Sequence, residues 1–367
     1  MSVLYNIRVR GGFRQLSSEN KTGRIRHVQV ESSLMNSITK RPIDEAAIRN
    51  LAEVLQEPVD TISNLDDGFY NASYSINCSS GSRYVLKVAP PEDVEILTYE
   101  KNIMRTEVAF MEAVAEAIPV PAVIHKDFSR SVINRDWYLM DFLDGRPLNS
   151  HEPVSRTARR RIYTALAAHY AAMHRIEGTH FGYPGHEDRF TGLDYPRAFM
   201  TMIDMVLEDG KRKNARLPVS EPELRSAINR HLHSFSTVKS PVMVHFDLWD
   251  GNLFVNGMKE PESGAGICGI VDFERGFWGD PCADLCHVSL YLDLNADGWF
   301  LDAYNAHAEH PIRYEKDEKA RTILYRTYLF LIMVVESYYR DVDGSFNGQL
   351  EWAGNELCSL VEQLNGM

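Results

Sequence analysis

Residues 245–255, HFDLWDGNLFV, and residues 269–280, GIVDFERGFWGD, hold the pattern from which the rest of the chain is read. Asp247 opens the first block, Asn252 follows five positions on, and Asp272 comes twenty positions after the asparagine. Asn252 leads into the apolar run Leu253-Phe254-Val255, and the run Gly269-Ile270-Val271 leads into Asp272. Two short apolar runs joined by a polar segment of Gly, Pro and Ser read as a β-hairpin. Such a hairpin folds Asp272 back beside Asn252, while Asp247 and Asn252 share one loop. A lone H-x-D carries no weight, because Asp is a common turn residue. The conjunction of acid, asparagine, hairpin and second acid does.

That order of groups suits phosphoryl transfer. One carboxylate orients and deprotonates an attacking hydroxyl, while an amide oxygen and a second carboxylate hold the magnesium that neutralises nucleotide phosphates. Asp247 is then the catalytic base, and Asn252 and Asp272 are the metal ligands. Upstream, Lys87 sits inside the apolar strand-like run RYVLKV, residues 83–88. A lysine there is costly to bury unless paired. Glu107, in the helical stretch RTEVAFMEAVAEAI, is the expected partner, with Glu100 and Glu112 as rivals. A strand lysine paired to a helix glutamate is the arrangement that holds nucleotide phosphates in kinases.

These motifs resemble the catalytic and metal-binding loops of the aminoglycoside phosphotransferase and choline kinase superfamily, small-molecule kinases with a protein-kinase-like fold. Asp247-Leu248-Trp249 is also similar to fructosamine kinases. The resemblance runs from about residue 45 to the end. It implies a bilobal α+β fold, with a small lobe of antiparallel sheet and a helix over residues 41–141 and a larger, mainly helical lobe over 142–367. It implies that Gly68, Asn71 and Ser73 belong to the loop over the phosphates, and that the backbone of Asp141, Phe142 and Leu143 is the hinge that meets the base. Asp284 braces the catalytic loop from a helix start. His245 fixes that loop from beneath, and Glu274 orients the metal shell or lines the acceptor site. Asp250, Asp280, Asp293 and Glu336 are candidate contacts for a cationic acceptor. One departure stands out: Phe246 occupies a position where the family usually has glycine and protein kinases often have arginine. Phenylalanine cannot read a phosphorylated loop, so such control is not expected, and unusual packing around Asp247 is.

Composition bounds the alternatives. The chain has 367 residues, room for two lobes. No apolar run reaches membrane-spanning length, and the N-terminus lacks a secretory apolar block, so a cytoplasmic location is expected. Five irregularly spaced cysteines argue against a disulfide framework. Cys282, Cys286 and His287 have no second ligand pair and read as buried helix residues. The formal charge of −12 disfavours nucleic acid and is compatible with a cationic acceptor. Residues 1–40 are polar and basic, an extension read as disordered, as a basic arm, or as lying upstream of a physiological start at Met35.

Helices are expected at about 43–55, 159–176, 195–212, 221–235, 282–293, 296–309, 315–340 and 349–364. The resulting expectation is an ATP- or GTP-dependent, magnesium-dependent O-phosphotransferase, monomeric or homodimeric. An aminoglycoside or similar amino sugar leads as acceptor; choline-like amino alcohols, sugars and ketoamines are the metabolic alternatives. The competing class is a non-catalytic nucleotide-binding regulator or structural protein on the same fold, disfavoured because a scaffold does not need the base.

Overall fold

The computed structural model describes residues 36–66, 68–151, 153–258 and 264–367. The proposed start at Met35 lies outside the described residues.

The small lobe is built on a sheet buried on both faces. Helix α1 (Glu45–Ala52) starts at Asp44, whose carboxylate accepts from the Ala47 N–H at 2.7 Å, and buries Ile48 and Leu51. It is shorter than expected: a single 3₁₀ turn carries the chain on to Leu55. Strands β1 (Val59–Leu65), β2 (Ala72–Cys78), β3 (Arg83–Val88), β4 (Val123–Asp127) and β5 (Trp137–Asp141) form an antiparallel sheet in the order β1-β2-β3-β5-β4. Side chains alternate across a strand, so one sheet has two faces. Tyr74, Ile76, Leu86, Val88, Trp137 and Leu139 pack beneath α1 in a core of their own. Val85, Tyr138 and Met140 face the other way, against α2 (Ile103–Val114), and join the core of the large lobe. Lys87 lies opposite Ser73 on β2 and Tyr138 on β5, which puts all three on this second, cleft-facing side.

The chain leaves the small lobe over the short strand β6 (Arg146–Pro147) and enters α3 (Arg156–Met173), α4 (Glu187–Phe190), α5 (Tyr195–Arg212) and α6 (Glu221–His231). Next come β7 (Val242–Val244), the hairpin β8 (Leu253–Asn256) and β9 (Gly266–Ile270), and β10 (Phe277–Gly279), which pairs with β7. Helices α7 (Leu285–Tyr291), α8 (Trp299–Asn305), α9 (Lys316–Arg340) and α10 (Asn347–Gly366) complete the lobe. Helix α9 is buried on most of its circumference, as expected of a central helix.

Two glycines let the interlobe linker lie directly on the β8–β9 hairpin. A Cβ on Gly145 would meet Cys268 Sγ at 2.2 Å, and one on Gly269 would meet the Leu143 side chain at 2.3 Å. The hairpin therefore presents its two functional ends beneath the small-lobe sheet. Residues 36–40, read from sequence as part of an extension, are instead fastened to the body: the Ile38 N–H donates to the Arg340 carbonyl at 3.0 Å.

Candidate active site

Asp284, just before α7, organises the loop that carries Asp247. Its carboxylate accepts from the N–H groups of His245 (3.2 Å) and Phe246 (2.8 Å) and pairs with His174 Nε2 at 3.0 Å. His245 is fully buried and held neutral, its pKa lowered by desolvation. Its Nε2 lies 3.0 Å from the Val271 carbonyl, and its Nδ1 accepts from the Asp247 N–H at 3.3 Å. One imidazole thus joins the loop bearing Asp247 to the strand end bearing Asp272. Phe246 stands at φ +61°, in the left-handed region that glycine tolerates best. Its ring is fully buried among Phe277, Tyr325 and Tyr328. That burial offsets the backbone strain and is the unusual packing the sequence pointed to.

Asp272, itself at φ +72°, follows β9, and the Val271 N–H donates to the Asn252 carbonyl at 3.1 Å. The hairpin register Leu253↔Ile270 brings these two positions together. The Asn252 amide nitrogen donates to the Asp247 carbonyl at 2.8 Å, which pins the side chain. Across the cleft, Lys87 Nζ reaches Glu107 at 2.6 Å and Asp272 at 2.9 Å. Glu100 and Glu112 are engaged elsewhere, with Arg340 and Lys126. Burial alone would lower the lysine's pKa, but the two carboxylates outweigh it and hold it well above the usual value. Burial likewise acts to raise Asp272, and Lys87 overrides it, keeping the carboxylate below its usual range.

Asp247 differs. Desolvation pushes its carboxyl up to about 7, against the opposing pull of Arg275. Arg275 Nε is 3.6 Å from Asp247, while its Nη2 donates to Glu336 at 2.8 Å. His287 Nε2 lies 3.5 Å from the other Asp247 oxygen, and burial drives this imidazole down to about 3, so it is neutral. Sequence reasoning missed both neighbours. Arg275 had one signal, its place three residues after Asp272 in an aromatic run; His287 was correctly expected to be buried, with no sign of where its ring ends.

Carboxylate oxygens of Glu107, Asp272 and Glu274 lie within 4.8 Å of one another, facing the single ammonium of Lys87. Glu274 is pushed well above the usual carboxylate range by burial and by Asp272 and Glu107. Asn71 belongs to the β1–β2 loop, and its amide nitrogen lies 3.4 Å from Glu274, which joins that loop to the carboxylate cluster. Gly68, at φ +84°, turns the same loop where a side chain would be strained.

Several expected contacts need correction. Asp250 is buried and bonded to Arg159 (2.7 Å) and Tyr163 (2.6 Å), and Asp280 to Arg321 (3.2 Å) and Tyr325 (3.1 Å). Glu336 is held by Arg275, Arg340 and Gln349. These three are structural partners of buried cations and are not free to meet an acceptor. Asp293 is exposed and caps a turn through the Asn295 N–H at 3.0 Å. At the expected hinge, the N–H groups of Asp141 and Phe142 donate to the carbonyls of Ala122 and Arg83.

A lysine clamped between two lobes above an Asp/Asn/Asp constellation defines the class of small-molecule kinases with a bilobal fold. Residues 61–320 match the phosphotransferase enzyme family, and the chain belongs to it. A candidate aminoglycoside phosphotransferase of Ralstonia eutropha superposes with a TM-score of 0.60 at 17% identity, covering 89% of this chain and 99% of that one. A candidate fructosamine-3-kinase of Thermobifida fusca gives 0.58 at 19% identity, over 87% and 100%. Aminoglycoside phosphotransferase APH(4)-Ia, in a ternary complex with AMP-PNP and hygromycin B, gives 0.59 at 15% identity, over 87% and 99%. At these identities the likeness shows the fold. In sequence, a protein named probable acyl-CoA dehydrogenase from Arabidopsis thaliana is 25% identical over 243 residues, 64% of this chain. The chain spans only 28% of that protein's length. No helix among the described residues is long and apolar enough to cross a membrane.

Proposed function

We propose that this protein transfers the γ-phosphoryl group of ATP or GTP to a hydroxyl of a small molecule. The observation that carries the reading is the Lys87–Glu107–Asp272 chain closed across the cleft, with Asp247 opposite it on the Asn252 loop. In the reaction the acceptor oxygen bonds to the γ-phosphorus, the bond from that phosphorus to the bridging oxygen breaks, and the acceptor proton passes to Asp247. A carboxylate with a pKa near 7 is well matched to taking up a proton at neutral pH. Lys87 pairs with the phosphates, and the backbone of the loop carrying Gly68 and Asn71 covers them, with Ser73 not on that loop but at the start of β2. The clustered carboxylate oxygens fit a hard divalent ion, whose charge would offset the repulsion that raises Glu274. Asp272 and Asn252, with Glu274, would hold magnesium, which when bound neutralises phosphate charge. Most of the rate then comes from positioning and electrostatics.

Aminoglycosides head the acceptor classes, supported by fold likeness to structures that hold hygromycin B or gentamicin. Against a strongly cationic acceptor stands the pairing-off of Asp250, Asp280 and Glu336. A second acceptor class, a hydroxyl on an acyl thioester, is supported by that pairing and by the sequence match to a protein named for acyl-CoA chemistry. The test is nucleotide consumption with magnesium against a panel of aminoglycosides, amino alcohols, sugars, ketoamines and hydroxyacyl thioesters. Acceptor-dependent formation of nucleoside diphosphate that disappears in Asp247→Asn supports transfer. Nucleotide binding with no turnover in any arm would favour the non-catalytic regulator.

A further inference from the structure

The loop that covers the phosphates is held from outside its own lobe. The Phe69 carbonyl accepts from Thr39 Oγ1 at 2.6 Å and from Arg340 Nη1 at 3.4 Å, and Lys40 Nζ reaches the Gly68 carbonyl at 3.4 Å. The Phe69 ring meets Phe346 edge-on at 5.6 Å, and the Arg340 guanidinium lies over the Tyr70 ring at 5.2 Å. Thr39 sits on a strap whose Ser37 bridges to Asp341 and whose Ile38 N–H is bonded to the Arg340 carbonyl. The loop tip is thus tied to the end of α9 by both side chain and backbone.

Arg340 faces two further groups. Its Nη2 donates to Glu100, in the turn before α2, at 2.5 Å and to Glu336 at 3.4 Å. Glu336 in turn holds Arg275, the cation beside Asp247. Arg340, Glu100 and Glu336 are each no more than 3% exposed. Two guanidiniums and two carboxylates make this buried quartet neutral, and removing any one member strands a charge in the interior. A guanidinium is a rigid fork, so where one edge points constrains the other. The order from loop to base is Phe69, Arg340, Glu336, Arg275, Asp247.

We propose that Arg340, latched to the phosphate loop through Thr39, is a positioning residue that links closure of that loop to the setting of Asp247. The proposal rests on the phosphotransferase reading above. Arg340 touches no reacting atom; it holds the loop down on bound nucleotide and holds Glu336 on Arg275.

The experiment measures release of a fluorescent ATP analogue, with magnesium, from the full-length protein by chasing with unlabelled ATP. Thr39→Val removes the latch and leaves the buried charges intact; release is expected to quicken about 5-fold, the loss of one hydrogen bond. Thr39→Ser, which restores the hydroxyl, returns release to the wild-type rate. Arg340→Lys keeps the charge but loses the fork, and release is expected to quicken about 10-fold or more. Urea midpoints distinguish this from general weakening: Thr39→Val lowers the midpoint by no more than the loss of one hydrogen bond, and Thr39→Ser restores it. If Arg340→Lys does not fold, the Thr39 pair decides. Folded Thr39→Val and Arg340→Lys variants that release nucleotide within 2-fold of wild type overturn the latch alone. A wild-type protein that binds no nucleotide overturns the phosphotransferase reading, and the latch with it.

Discussion

Around Asp272 the partner cation is Lys87, 2.9 Å away, and the carboxylate stays below its usual range although burial pulls the other way. Around Asp247 the partner cation is Arg275, 3.6 Å away and already bonded to Glu336, and burial carries the carboxyl up to about 7. The contrast shows how one side-chain type serves two ends of a cleft. A close ammonium shared among the cleft carboxylates keeps Asp272 ionised. A distant guanidinium, pre-empted by another carboxylate, lets desolvation win, and the acid is left ready to accept a proton.

The largest effect is expected from Asp247→Asn, with transfer down about 10²–10⁴-fold and nucleotide affinity near wild type, read by turnover and by titration of a nucleotide analogue. The same change removes a carboxyl whose folded pKa is raised. Such a group's stabilising contribution is complete below the unfolded value near 4 and is lost as pH rises through about 7. Asp247→Asn is therefore expected to gain roughly 4 kcal/mol over wild type at pH 8 and little at pH 4, measured as urea midpoints. Equal midpoints at both pH values would mean that Asp247 is not desolvated in the way the contrast requires.

Lys87→Met attacks the other end. It leaves Glu107 and Asp272 without their cation, so stability is expected to fall by about 3–5 kcal/mol and nucleotide affinity about 10-fold or more. If the variant melts like wild type, the metal-side carboxylates do not depend on the lysine. Phe246→Gly tests the backbone beneath the base. It relieves a positive φ worth about 1 kcal/mol but empties a ring-sized space worth about 3 kcal/mol, for a net loss of about 2 kcal/mol on chemical denaturation. The smallest shift in the rate profile concerns Arg275, although its loss also strands Glu336 and weakens the fold. The rate should fall as pH drops below about 7, because the base must be ionised. Since Arg275 lowers that pKa, Arg275→Gln should move the inflection upward by about one unit in the pH profile of kcat/KM. An inflection that moves down or stays put breaks the comparison.

Much of this was legible before any coordinates. Lys87 could be read because a charged residue interrupts an apolar strand, and strand periodicity assigns it a face. Helices such as Tyr195–Arg212 carry their own apolar stripe and fall where the pattern puts them. Strand β1 was missed because it is an edge strand whose burial does not alternate, so it offers no period-two signal. Asp250 and Asp280 were misread because an acidic residue looks the same in sequence whether it meets water, an acceptor or a buried arginine.

The chain's local order determined the lobes, the hairpin that carries Asn252 and Asp272, and the lysine that answers them, because periodicity and turn chemistry act over a few residues. Tertiary structure alone decided which charges are neutralised. Glu336 and Arg340 lie one turn apart on α9, but the groups they meet come from elsewhere, Arg275 from the segment after β9 and Glu100 from the other lobe. Their pairing is set by burial and by distances of a few ångströms, quantities that residue spacing does not encode.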